Sequence, residues 1–360
     1  MDFAGRIDQV QTALADREKD AAVVAGAAAS QYLSGFEAYS DGGTRTWYPL
    51  VVVRRDADPC LFVSGLDATA AEETADIPFQ VPDGSFSDAV TAFLDEETTV
   101  ILSEHTRAGL YSRLAESFTV TFDEFLADLR AVKEEPEIAA IGSAIQITEG
   151  VLSEALQRID QNTTEAALAG ILGHGMRDRG GMPGFPSIVA SGSRAAHPHH
   201  APRDVPVGED VVLFDIGARV DGYVADIART VYVGEPPDRF REAYTAVAEA
   251  QEAAEQQLEA GVDAAAVDEA ARDALAAAGY EEGYPHAGGH GVGLSVHESP
   301  KISTSSEDTL EAGNVVTLEP GVYFDGEFGV RIEDIYVIEE DGADRLSQRS
   351  RVLDDHIISV

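Results

Sequence analysis

Three of the nine histidines of this 360-residue chain, His286, His290 and His297, fall in the single run from His286 to Pro300. Gly288, Gly289, Gly291 and Gly293 stand among them. Each such glycine costs a helix about 1 kcal/mol relative to alanine, which excludes an ordinary helix here. Glycines this dense instead let the backbone pass close to a neighbour or take positive φ. A histidine set between glycines has little to pack against, and its imidazole suits metal ligation or proton handling on a tight loop.

Four carboxylates stand in settings that could meet that imidazole. The apolar run Val211-Val212-Leu213-Phe214 ends in Asp215, and the next strand, Tyr223 to Val231, carries Asp226. Asp221-Gly222 between them is a hairpin signal. A turn centred there opposes Asp215 to Ala228 and makes Asp226 its diagonal neighbour, with Cβ atoms roughly 7 Å apart on one face. Two buried acids without a cation would repel until one took up a proton. With cations they could grip ions about 3.5–4 Å apart. Further on, Val315–Gly321 carries Glu319 and Gly329–Val337 carries Glu333. A three-residue turn at Asp325-Gly326-Glu327 would make Glu319 and Glu333 face each other, whereas a two-residue turn would put them on opposite faces. Oxygen donors with one imidazole suit Mn²⁺, Co²⁺ or Fe²⁺, and Zn²⁺ is admissible. Residues 191–203 add His197, His199 and His200. They are either a loose surface metal site or a loop that places one histidine, His199 after Pro198, over a reaction centre.

The elements that must hold these groups divide the chain in two. Residues 6–130 alternate short apolar strands (Ala21–Gly26, Leu50–Val53, Cys60–Val63, Thr99–Leu102, Thr119–Phe122) with helices (Leu66–Thr74, Ser87–Leu94, Ala108–Ala115). That alternation predicts an α/β domain with a buried sheet. Asp56-Ala57-Asp58 fits a hairpin turn, and no phosphate-binding loop occurs. A boundary near Val132–Pro136 separates residues 1–132 from 133–360. Pro136 suits a first helical turn, and Ile138, Ile141, Ile145, Leu152, Leu156 and Ile159 recur at helical spacing. A second helix, capped by Thr163 or Thr164, runs to Arg179, followed by a loop at 180–184 and a strand at Ser187–Ala190. Helices are expected at Asp238–Glu259 and Ala264–Ala278, with Asp263 as cap and Gly279 as stop.

With 25 basic and 65 acidic residues the net charge is −40. A surface this acidic repels phosphate, which argues against nucleic acid and anionic membranes as partners. The acids are spread along the chain and only Lys19, Lys133 and Lys301 are lysines, a balance that suits a high-salt cytoplasm. Cys60 is the only cysteine, so there is no internal disulfide and no thiolate zinc site. The N-terminus has no signal pattern, and the longest apolar run, Ala21–Ala29, is far short of the ~20 residues that span a bilayer. A soluble cytoplasmic protein is expected.

Together these residues carry a resemblance. Phe214-Asp215-Ile216-Gly217, Asp226-Ile227-Ala228-Arg229-Thr230, Gly289-His290-Gly291-Val292-Gly293, His297-Glu298, Glu319-Pro320-Gly321 and Arg331-Ile332-Glu333-Asp334 resemble, in order, the motifs of the metallopeptidases that include Xaa-Pro aminopeptidases, Xaa-Pro dipeptidases (prolidases) and methionine aminopeptidases. Leu129–Glu134 resembles the entry into that domain, and Gln31–Phe36 the creatinase-like domain that precedes it in the proline-specific branch. The resemblance implies an α/β N-terminal domain and an α+β pita-bread catalytic domain. It implies two divalent ions, Mn²⁺ or Co²⁺ first, with Asp215 on one, His290 and Glu319 on the other, and Asp226 and Glu333 on both. His199 and His297 match positions that contact substrate and steady the tetrahedral intermediate; His286 and Arg331 match supporting positions. Arg194, where many relatives carry Asn, and His197, usually apolar, depart from the pattern near the substrate. The implied activity is cleavage of the bond between an N-terminal residue and proline, in a homodimer. The alternatives are a non-catalytic peptide or protein binder on the same fold and a metallohydrolase of another small amide.

Overall fold

The computed structural model describes residues 1–38, 49–103, 106–160 and 162–359. It divides into two compact units, Met1–Arg130 and Ala131–Val360.

In the first unit the strands lie in the order Phe79–Gln80, Ala57–Phe62, Leu50–Arg54, Ala21–Ala25, Thr99–Leu102, Thr119–Phe122. Ala21–Ala25 runs antiparallel to Leu50–Arg54 and parallel to Thr99–Leu102. The expected strands and helices are present to within a few residues. Helices Phe3–Asp16, Ala27–Ser34 and Phe125–Ala131 add to them. The expected turn at Asp56-Ala57-Asp58 is displaced: Arg54 pairs with Ala57, so the turn is Arg55-Asp56. The cause is a register shift between Val52 and Arg54, which brings the second strand in earlier.

In the second unit, helices Glu135–Leu156 and Glu165–Asp178 pack on a sheet ordered Ile357–Ile358, Ile227–Val233, Val211–Ile216, Ile188–Ser191. Thr164 caps the second of these helices through Ala167 N at 3.2 Å. Helices Asp238–Glu255 and Ala264–Ala277 share a core with strands of a five-stranded sheet ordered Glu298–Ile302, Gly289–Gly291, Val315–Leu318, Asp334–Glu339, Gly342–Arg345. The first of these helices ends short of Glu259, because the chain must turn toward Gly261 at φ +87°. Asp263 precedes the second but makes no side-chain cap bond; its backbone bridges to Thr309. Met182–Pro183, expected as loop, pairs with Ala218–Arg219. Among the described residues no helix is long and apolar enough to cross a membrane.

Val211 to Phe214 are fully buried, worth about 1.5–3 kcal/mol each for the larger side chains. A strand buried on both faces cannot set its register by alternation, so the turn sets it. Asp221 at φ +49° and Gly222 at φ +85° form the two-residue hairpin connection, and Val220 pairs with Tyr223. The same register continues to Asp215 opposite Ala228.

The glycine-histidine run departs from expectation. Gly289–Gly291 is a strand inside the sheet, not a loop. A Cβ on Gly289 would lie 2.0 Å from the Thr317 carbonyl oxygen, and one on Gly291 2.1 Å from that of Ser299. Close approach on both sides, not positive φ, is what requires glycine around His290.

Candidate metal centre

Three strand pairs deliver the acids. Asp215 and Asp226 come from the Asp221-Gly222 hairpin as diagonal neighbours. Glu319 and Glu333 come from a second hairpin, in which Leu318 faces Asp334, Gly321 faces Arg331 and Phe324 faces Phe328. The three-residue turn is therefore the one adopted. Glu319 and Glu333 lie in the break where the chain leaves one sheet for the two-stranded ribbon. Hydrogen bonds hold both backbones there: Glu319 N donates to Gly288 O at 2.8 Å and Glu333 N to Ala228 O at 3.0 Å. Arg229, fully buried, donates to the Glu333 carbonyl and to the Asp334 carboxylate, both at 2.6 Å.

His290 completes the group. Its Nδ1–H donates to Gly291 O at 3.0 Å, which leaves the Nε2 lone pair facing the acids. Nε2 is 3.7 Å from Asp226 Oδ2 and 3.7 Å from Glu319 Oε1. Ligand atoms of Asp226, His290 and Glu333 all lie within 4.8 Å of one another. Asp215 stands at the edge of this cluster, held by the Arg331 guanidinium.

The electrostatics are those of crowded acids. Burial, with the charges of Asp215 and Glu319, pushes the Asp226 carboxyl well above the usual range. Burial, with Asp226, Glu319 and Asp215, does the same to Glu333. Burial raises Glu319 to about 7 against the opposing charge of Arg331. Burial lowers His290 to about 4 and keeps its imidazole neutral. Asp215 Oδ1, Asp226 Oδ1 and Glu333 Oε1 are buried without a hydrogen-bond partner. An unpaired buried oxygen costs about 1–3 kcal/mol. Hard oxygen donors, one neutral imidazole and unpaired buried oxygens fit divalent cations.

The other expected residues surround this group. His297 is exposed, and its ring centroid lies 4.3 Å from that of His290. His286 donates from Nδ1 to Ala287 O at 2.8 Å and accepts at Nε2 from the Tyr323 hydroxyl at 3.0 Å. That hydroxyl also accepts from Arg331 Nη1 at 3.2 Å. His199 is exposed but close enough to act electrostatically on His286. His197 is also exposed, while His200 is buried against Glu165.

Several residues at the site had no role assigned to them from the sequence. Tyr323 lies two residues from the Gly321–Arg331 pair, on the face of the ribbon that Arg331 occupies; the hairpin register contained that signal. Lys133 Nζ pairs with Glu298 Oε2 at 3.3 Å, and Glu298 Oε1 accepts from Ser295 N at 2.8 Å, which holds the segment that bears His297. Arg272 donates to the His286 and Tyr284 carbonyls and to Asp268. No local pattern marks these long-range contacts.

Residues 139–340 match the metallopeptidase family M24, and residues 6–132 the creatinase/prolidase N-terminal domain. The Xaa-Pro dipeptidase of Pyrococcus horikoshii is 38% identical over 233 residues, 64% of this chain and 66% of that protein. The Xaa-Pro dipeptidase of Lactobacillus helveticus is 31% identical over 93% of this chain and 95% of its own length. The crystal structure of the prolidase from P. horikoshii OT3 superposes with a TM-score of 0.90 at 30% identity, covering 97% of this chain and 99% of that one.

The chain belongs to metallopeptidase family M24. It is a prolidase-like metallopeptidase, with a creatinase-type N-terminal domain ahead of a pita-bread catalytic domain. Membership implies divalent metal ions, and the buried Asp226, His290 and Glu333 group is compatible with them.

Proposed function

We propose that this protein hydrolyses the peptide bond between an N-terminal residue and proline, using two divalent ions, Mn²⁺ or Co²⁺. The observation that carries this reading is the convergence of Asp215, Asp226, Glu319 and Glu333 on the neutral Nε2 side of His290, with three buried oxygens unpaired. Asp215 would hold one ion, His290 and Glu319 the other, and Asp226 and Glu333 both. When bound, such ions supply Lewis acidity and a water activated near neutral pH.

The remaining work belongs to the side chains. Glu319 moves the proton released by the attacking water. His297 and His199 donate to the carbonyl oxygen as negative charge develops on it. Arg331 keeps Asp215 oriented, and His286 fixes Arg331 through Tyr323. The substrate is a peptide, of two residues or longer, met in the cytoplasm by a homodimer that engages neither nucleic acid nor membrane. The functional boundary falls between Val132 and Lys133.

Hydrolysis of Xaa-Pro and Xaa-Ala peptides of two and more residues, with Mn²⁺ or Co²⁺ in molar KCl, tests this. Xaa-Pro peptides should be cleaved and Xaa-Ala peptides spared. Metal uptake without cleavage of any peptide would favour a binder, and cleavage confined to another amide would favour the second alternative.

A further inference from the structure

Glu165 opens the helix Glu165–Asp178, and its side chain is fully buried. Its two carboxylate oxygens take bonds from both ends of the segment 191–203. Oε1 accepts from Ser191 N, Ser191 Oγ and Arg194 Nε, each at 2.8 Å. Oε2 accepts from His200 Nε2 at 2.9 Å and Arg203 N at 3.0 Å. Arg194 Nη2 closes the near end by donating to Ser191 Oγ at 2.6 Å. Between the two stems lies the tip His197-Pro198-His199, whose two histidines are exposed.

A tip of this kind has few ways to hold its position. The helical turn Gly192–Ala196 is too short to order it alone, and His199 itself is exposed. One ionised carboxylate spanning both stems can do so, because charge-assisted bonds are about twice as strong as neutral ones. Ala166 N to Arg203 O at 2.9 Å and Glu165 N to Val205 O at 3.2 Å bind the far stem to the same helix start. Arg194, the departure noted in the sequence, is one of the donors.

We propose that Glu165 is a positioning residue: it staples the stems of segment 191–203 and thereby sets the place of His199 toward substrate. The substrate part of this rests on the role proposed above for His199. The staple itself does not.

The test joins hydrogen exchange to a double-mutant cycle. E165Q keeps the volume, loses the charge and presents an amide to Arg203 N–H. Amides of 192–200 should exchange about tenfold faster or more. Exchange in strands Val211–Ile216 and Ile227–Val233, and Mn²⁺ uptake, should match wild type. Unchanged protection at 192–200, or faster exchange throughout those strands, overturns the proposal. With an Xaa-Pro dipeptide, kcat of E165Q and of H199A should each fall, and the double variant should be no slower than the slower single variant; multiplied losses overturn the link to His199. If E165Q does not fold, R194Q must still speed exchange at 194–199, and a loop as protected as wild type overturns the proposal. Should wild type cleave no Xaa-Pro peptide, the proposed function falls while the exchange result still decides the role of Glu165.

Discussion

The Arg331 guanidinium donates to Asp215 Oδ2 and, through Nη1, to the hydroxyl of Tyr323. It is a buried cation set against the buried Asp226 and Glu333 and the half-buried Asp215 and Glu319. Burial opposes its charge, but Tyr323, Asp215, Glu319 and Glu333 prevail and hold its pKa above the usual guanidinium value. One positive charge cannot balance four negative ones. Burial and mutual repulsion accordingly raise the pKa values of Asp226, Glu319 and Glu333, which favours protons on these acids in the protein alone.

Divalent ions should replace those protons. Metal analysis after mild dialysis should find two ions per chain, and the melting temperature should rise on adding Mn²⁺. An ion present at 100 times its Kd adds about 2.7 kcal/mol. A protein that stays metal-free in millimolar Mn²⁺ or Co²⁺ would remove the basis for the hydrolase.

His297 and Glu319 should separate catalysis from metal binding. H297A should keep both ions and the fold while kcat drops about 10²–10³-fold, the usual loss of one oxyanion donor. E319Q should lose both metal affinity and rate. Metal loss in H297A, by elemental analysis, would place His297 among the ligands instead.

Acid stability should depend on Glu165. Burial acts to raise its pKa, but hydrogen bonds from His200, Arg194, Ser191 and Arg203 prevail and bring it down to about 2. The folded chain therefore releases this proton more readily than the unfolded chain, whose ordinary value is 4.5. The contribution is full above pH 4.5 and is lost as pH falls from there toward 2. E165Q should be less stable than wild type at neutral pH, and the gap in urea midpoint should narrow across that window. A gap that widened on acidification would have the wrong sign.

Salt should stabilise the chain. With 65 acidic and 25 basic residues, self-repulsion opposes folding in dilute buffer. The melting temperature should climb with KCl into the molar range, where the screening length is about 3 Å. A flat dependence, measured by circular dichroism, would mean that the acidity serves another purpose.

What could be read in the sequence was whatever local turn chemistry determines. Asp221-Gly222 specified the register that makes Asp215 and Asp226 diagonal neighbours, and the motifs placed His290 among them. The glycines round His290 misled on conformation, since close approach and loop flexibility call for the same residue; only the Thr317 and Ser299 carbonyls decide between them. Tyr323 was within reach of the hairpin register that pairs Gly321 with Arg331. Arg272 and Glu165, however, act on segments distant from them in sequence, and nothing within a short window distinguishes them from ordinary surface or core residues.

The turn Asp325-Gly326-Glu327 is exposed and lies at the far end of its ribbon from Glu319 and Glu333. Exposed turns are where chain length ordinarily drifts. Here parity forbids it. Side chains alternate along a strand, so one residue fewer at the tip exchanges the two sides of the returning strand. The chain would then have to misalign Glu333 or buckle the ribbon that carries Arg331. A one-residue deletion at this remote, solvated tip should abolish Mn²⁺ uptake measured by calorimetry, although it removes no ligand. A spacer with no chemistry of its own thus acts as the phase marker of the metal centre.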